Sequence, residues 1–226
     1  MARPTKDADL NGLTAPHVHR SPPRNREIRE CFSQSARAAI GDIEPGCEIF
    51  GFTKGQFSLM DVIVALLEQT GPASVTLSTW TAGNVDVGHA YNLLENRTLT
   101  DMRWIIDRSF PARQPMYYAT LLKRFGPESV RITRTHAKFA LIENDTWNIA
   151  LRSSMNLNRN IRFENFEISD DPALAGYLRT VTDEIFSTPS LGRVPTNKEV
   201  DEAFQALSVK GPPADDLTAQ LTALRN

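Results

Sequence analysis

Between residues 47 and 127, short apolar runs alternate three times with stretches of helical periodicity, and glycine-containing turns punctuate the series. This rhythm limits the fold more than any other feature of the chain. Cys47, Ile49, Phe50 and Phe52 form a compact apolar run next to Pro45 and Gly46, which predicts a first strand over 47–52. Residues 58–69 carry Leu59, Val62, Ile63, Leu66 and Leu67, the spacing of a helix laid on a sheet, and Gly71-Pro72 closes it. A strand over 74–80, a helix over 85–95, a strand over 101–107 and a helix over 115–125 follow, the last ended by Gly126-Pro127. In the third strand Met102, Trp104 and Ile106 fall on one face and Arg103, Ile105 and Asp107 on the other. Strands joined through helices favour parallel neighbours with both faces covered. The expectation is therefore an α/β fold with a mixed, mostly parallel sheet flanked by helices on both faces.

After residue 127 the rhythm changes. Strand-like runs over 130–133, 136–142 and 147–153 come in close succession, and the turn Glu143-Asn144-Asp145 makes the last two a hairpin. A strand over 165–168 and an amphipathic helix over 173–186 complete a domain expected to span 27–188, beginning with a short helix over 27–40. Residues 1–26, with Pro4, Pro16, Pro22 and Pro23, read as a flexible N-terminal arm too poor in large apolar side chains to offset the entropy of ordering. Residues 189–226 read as a C-terminal helical appendage, with patterns over 197–208 and 215–224. Cys31 and Cys47 are too few for a disulfide framework or a four-thiolate zinc site. The N-terminal residues lack the apolar centre of a signal peptide, and no stretch is long and apolar enough for a span. A soluble, cytoplasmic protein is expected, and with no exposed apolar surface evident in the pattern, no membrane partner.

The formal net charge of −2 conceals an asymmetry, because residues 103–162 hold eleven Lys/Arg against four acids. A local surplus of seven positive charges attracts a polyanion even on an acidic chain. The chemistry-bearing residues lie in and just beyond this window. His136 and Lys138 alternate on a predicted strand and so share a face; Ser154 and Asn156 repeat that offset, as do Asn165 and Glu167. Three polar pairs of this kind do not suit a core unless they converge on one pocket. Together they supply what phosphodiester cleavage needs: an imidazole to attack phosphorus or move a proton, an ammonium and neutral donors to hold non-bridging oxygens, and a carboxylate to orient the imidazole.

His136-x-Lys138, an acid five residues on at Glu143, Ser154-x-Asn156 after a hairpin, and Asn165-x-Glu167 resemble the signature of the phospholipase D superfamily over roughly residues 30–188. Two positions depart from that pattern: Glu143 stands where Asp is usual, and Ser153 where many members have glycine. The resemblance implies a phospholipase D/nuclease-like catalytic domain with no metal and no cofactor. It makes His136 and Lys138 the catalytic pair, Asn156 the amide that holds phosphate, Glu167 the residue that orients the histidine, and Glu143 a structural acid. Ser154, Asn165, Arg134, Arg152 and Arg159 are expected to bind substrate. The superfamily mechanism uses two such motifs and this chain carries one, so the resemblance implies a homodimer with the two motifs facing each other.

Small single-motif members resemble nucleases more than lipid hydrolases. The expected function is accordingly a metal-independent endonuclease on DNA or RNA, acting through a phosphohistidine. A catalytically silent module that binds nucleic acid or assembles with partners is the alternative, and a phospholipid hydrolase or transferase a more distant one. Arg131 and Arg162 are further candidates to line a groove for the phosphate backbone. Trp104, Tyr117, Tyr118 and Trp147 are candidate stacking rings, although such rings more often serve core or helix packing.

Overall fold

The computed structural model describes residues 35–158, 161–188 and 193–207. The N-terminal arm, the first part of the helix expected over 27–40 and the helix expected over 215–224 lie outside the described residues, as does Arg159. The elements are α1 (Ala36–Ile40), β1 (Glu48–Thr53), α2 (Leu59–Thr70), β2 (Ala73–Thr79), α3 (Asn84–Glu95), β3 (Leu99–Asp107), α4 (Phe110–Arg113), α5 (Pro115–Phe125), β4 (Val130–Thr133), β5 (Phe139–Glu143), β6 (Asn148–Ser153), β7 (Glu164–Asp170), α6 (Pro172–Phe186) and α7 (Asn197–Ala206).

Local chemistry explains most of these boundaries. Ser58 and Asp61 form a reciprocal capping box that starts α2, and Gly71, at φ 74°, lets the chain leave it while its N–H donates to the Leu67 carbonyl. Gly126, at φ 79°, ends α5 in the same way.

The seven strands form one sheet in the order β1-β7-β6-β5-β2-β3-β4. It is mixed rather than mostly parallel: β2–β3 and β3–β4 are parallel, and the other four pairings antiparallel. The alternation of strand and helix implied parallel neighbours, but the β1–α2–β2 connection does not join neighbours. The three antiparallel strands β5, β6 and β7 lie between β1 and β2. Apolar periodicity specifies a strand and its buried face, not its direction, so the sequence left this insertion unmarked.

Val75 and Leu77 of β2, Met102, Trp104 and Ile106 of β3, Ala140 and Ile142 of β5, Ile149 and Leu151 of β6, and Phe166 and Ile168 of β7 face α2, α3 and α5 in the main core. Ile105, Leu141 and Ala150, of opposite parity, are buried on the other face, where α6 packs with Leu174 and Ala175. Leu77 is fully buried at the centre of the sheet, between β5 and β3. Leu77→Ala is expected to cost about 3 kcal/mol, the usual result of leaving a cavity in a rigid core. The check is a lower urea midpoint at unchanged m-value.

One feature of the surface runs against expectation. On edge strand β1, Phe50 and Phe52 are 56% and 58% exposed, and Phe163 stacks on Phe52 with ring centroids 4.8 Å apart. Phe163 belongs to a connection that no local signal places against β1, so this apolar patch was invisible in the pattern.

Candidate functional site

The mixed topology gathers strand ends at one rim of the sheet. β2, β3 and β4 all finish there because they are parallel. The antiparallel pairings Ser78↔Phe139, Phe139↔Arg152, Ser153↔Phe166 and Thr53↔Glu164 bring the start of β5, the end of β6, the start of β7 and the end of β1 to the same rim. Segments far apart in the chain, around 79–80, 107–108, 133–138, 153–156 and 164, therefore meet. Ligand sites in open α/β sheets form at such carboxyl ends of parallel strands.

His136 and Lys138 precede β5 rather than lying on it. Their segment lies outside the strand, pinned by two hydrogen bonds to side chains and one to the backbone of β6. Ser78 Oγ donates to the Ala137 carbonyl at 3.0 Å, the Ala137 N–H donates to Thr135 Oγ1 at 3.1 Å, and the Ser153 N–H donates to the Lys138 carbonyl at 3.0 Å. The imidazole of His136 is thus left exposed. Lys138 Nζ lies 3.1 Å from His136 Nδ1 and 3.5 Å from Nε2, and donates to the His136 carbonyl at 2.8 Å. Burial pushes the Lys138 ammonium below its ordinary pKa, while the negative charges of Glu164 and Asp107 act in the opposite direction. A half-buried ammonium against an exposed imidazole is a place for an anionic oxygen.

The other motif residues divide between the two faces of the sheet. Glu164 shares its strand parity with the core residues Phe166 and Ile168; its carboxylate accepts a hydrogen bond from Ser154 Oγ and is close enough to act on Lys138. Ser154 Oγ also accepts from the Asn165 N–H at 2.9 Å. Asn156 Oδ1 is buried with no hydrogen-bond partner among the described residues, in a small pocket shared with Glu164 and Asn158.

Glu167 is not brought to the histidine. It stands opposite Arg152 in the β6–β7 ladder, on the face away from Phe166, and accepts from Arg152 Nη2 at 2.6 Å. Arg152 is thereby engaged on that same face. Asn165 contributes through its backbone: its carbonyl accepts from Ser153 Oγ at 2.7 Å and from the Ser154 N–H at 3.1 Å, which fixes the corner. The residue that sequence reasoning passed over is Glu164. The offset of two in Asn165-x-Glu167 drew attention to the face of the strand on which Glu167 meets Arg152. The available signal was parity, since Glu164 and not Glu167 alternates in phase with Phe166 and Ile168.

Glu143 lies at the far end of β5 and accepts from Arg179 Nε of α6 at 2.9 Å, tying that helix to the sheet. Arg131 is 8% exposed and donates to the carbonyls of Glu128, Thr188 and Phe186, so it holds the end of α6 rather than lining a groove. Trp104, Tyr118 and Trp147 are core residues, and Tyr117 is partly buried against the same core. The aromatic ring at the site is Trp80, whose centroid is 6.0 Å from that of His136, with the Arg113 guanidinium 3.8 Å above the indole. Among the described residues no three His, Cys, Asp or Glu side chains are grouped to hold a metal ion, and no helix is long and apolar enough to cross a membrane.

No protein-family model and no curated protein matches the sequence. Solved structures similar to the chain include polyphosphate kinase from Porphyromonas gingivalis, at 16% identity and TM-score 0.48, covering 65% of this chain and 27% of the kinase. The chain thus spans about a quarter of that protein's length. Another is the phospholipase D family member Nuc from Salmonella typhimurium, at 14% identity and TM-score 0.46, covering 62% of this chain and 94% of Nuc. NucT from Helicobacter pylori, at 14% identity and TM-score 0.44, covers 62% of this chain and 96% of its own.

Proposed function

We propose that the chain is a phosphodiesterase of the phospholipase D type that cleaves nucleic acid as a homodimer. The observation that carries this reading is the contact between Lys138 Nζ and the exposed imidazole of His136, at a rim that also holds Glu164 bonded to Ser154. The imidazole is free to approach phosphorus, and the ammonium is placed to take a non-bridging oxygen as its charge rises.

The chemistry then runs in two displacements. His136 bonds to phosphorus as the bond to the leaving oxygen breaks, and a second imidazole gives that oxygen its proton. Water next attacks the phosphohistidine, the second imidazole takes the water's proton, and the phosphorus–nitrogen bond breaks to restore His136. One chain supplies one such motif, so the second imidazole is His136 of another copy across a two-fold axis. Glu164, not Glu167, serves as the carboxylate of the site.

Nucleic acid is favoured by the company His136 keeps. Arg108, Arg113 and Arg134 emerge at the same rim, and Trp80 offers an aromatic face beside the reacting group. The test is incubation of the purified protein with end-labelled single- and double-stranded oligonucleotides in excess EDTA, alongside phospholipid vesicles. Cleavage of an oligonucleotide that persists in EDTA is expected. Turnover confined to the vesicles would move the substrate to lipid, where the exposed Phe50, Phe52 and Phe163 would acquire a use. Gel-shift binding without turnover of either would leave a silent binding module.

A further inference from the structure

Two guanidinium groups at the rim converge on a single carboxylate oxygen. Arg108 directly follows β3 and Arg134 directly follows β4, so the adjacent parallel strands release them side by side; the Arg108 N–H donates to the Thr133 carbonyl at 2.9 Å. Arg108 Nη1 and Arg134 Nε reach the same Oδ1 of Asp201, at 2.8 and 2.7 Å. Asp201 belongs to α7, in the C-terminal appendage, which buries Val200 and packs against β4. Arg134 is two residues before His136 in the segment that carries the catalytic pair.

Two guanidinium donors meeting on one anionic oxygen is the arrangement with which arginines hold a phosphate. The three side chains remain more than a third exposed, and pairs so open to water contribute little to stability, so a substrate phosphate can displace the carboxylate. We infer that Arg108 and Arg134 form a phosphate subsite for the strand flanking the scissile ester, and that Asp201 of α7 occupies this subsite until substrate arrives. The inference rests on the nucleic-acid reading given above and adds to it a second contact and an internal competitor.

The experiment measures binding of a fluorescein-labelled single-stranded 12-mer by anisotropy, with the full chain, in EDTA and at several salt concentrations. Asp201→Asn is expected to tighten binding about fivefold and to steepen the slope of log Kd against log salt by about 0.7 or more, the increment for one freed phosphate contact. Glu202→Gln removes the same charge from the same helix and is expected to change Kd less than about twofold. In an Arg108→Gln/Arg134→Gln background, weaker binding and no effect of Asp201→Asn are expected, because the carboxylate then has nothing to mask. Equal tightening by Asp201→Asn and Glu202→Gln, or an Asp201→Asn effect that survives loss of both arginines, would show a general charge effect and overturn the subsite. Oligonucleotide binding that responds to none of these changes overturns the subsite and leaves the nuclease reading standing. Absence of oligonucleotide binding by every variant overturns both. Thermal melting of each variant confirms that α7 and the domain remain folded.

Discussion

His136→Ala is expected to lower phosphodiester cleavage by about a thousandfold or more, with little change in thermal stability. The side chain is exposed, so its removal opens no cavity. The backbone of its segment is held by Ser78, Thr135 and Ser153, none of which needs the imidazole. What is lost is the group proposed to bond to phosphorus. Wild-type protein quenched in acid-free conditions during turnover should carry label from a 32P-substrate on histidine, and the variant should carry none. Lys138→Ala should also be severely impaired, because the non-bridging oxygens lose the ammonium that sits 3.1 Å from the ring. Cleavage at an undiminished rate by a folded His136→Ala protein would dismiss the nucleophile assigned here.

The second large effect separates two glutamates three residues apart. Glu164→Gln is expected to reduce turnover about a hundredfold, whereas Glu167→Gln should stay within about threefold of wild type, the scale of a partly exposed ion pair. Glu164 touches Ser154 and acts electrostatically on Lys138, while Glu167 is spent on Arg152 on the opposite face. A pH profile gives a readout that a merely structural role would not move. The charge of Glu164 favours the protonated form of Lys138, and burial disfavours it more strongly. Removing the Glu164 charge leaves burial less opposed, so Lys138 loses its proton at lower pH. Where the reaction needs the ammonium, the alkaline limb of the rate profile in Glu164→Gln should move to lower pH, and in Glu167→Gln should stay in place. The opposite ranking of the two variants would restore Glu167 as the carboxylate of the site.

The confusion between these residues has a physical origin. A two-residue offset identifies side chains that share a face of one strand, and Asn165 and Glu167 do share one. Which face that is, relative to His136, depends on the register of β7 against β6, where Ser153 pairs with Phe166 and Arg152 with Glu167. A shift of one residue in that register would have exchanged Glu164 and Glu167. The position of Trp80 has a similar cause: nothing in its own neighbourhood shows that β5 would start alongside the end of β2 and bring His136 within 6.0 Å.

The helices and strands themselves were legible because their signals are local. Ser58 and Asp61 cap α2, Gly71 and Gly126 end helices, and period-two alternation in β3 separates Trp104 from Arg103. The motif order was legible too, since it needs only residue types and spacing: His136, Lys138, Ser154 and Asn156 name a kind of chemistry before any coordinate is known. Local sequence left undetermined the insertion of β5, β6 and β7 between β1 and β2, the partner of each charge, and the capture of Arg108 and Arg134 by Asp201, which lies 93 and 67 residues further along the chain. Hydrogen-bond ladders and ion pairs join residues remote in the chain, and their partners are selected by how whole elements pack. The residue types and their spacing were therefore legible in the sequence, and the tertiary structure decided which carboxylates and arginines meet at the rim of the sheet.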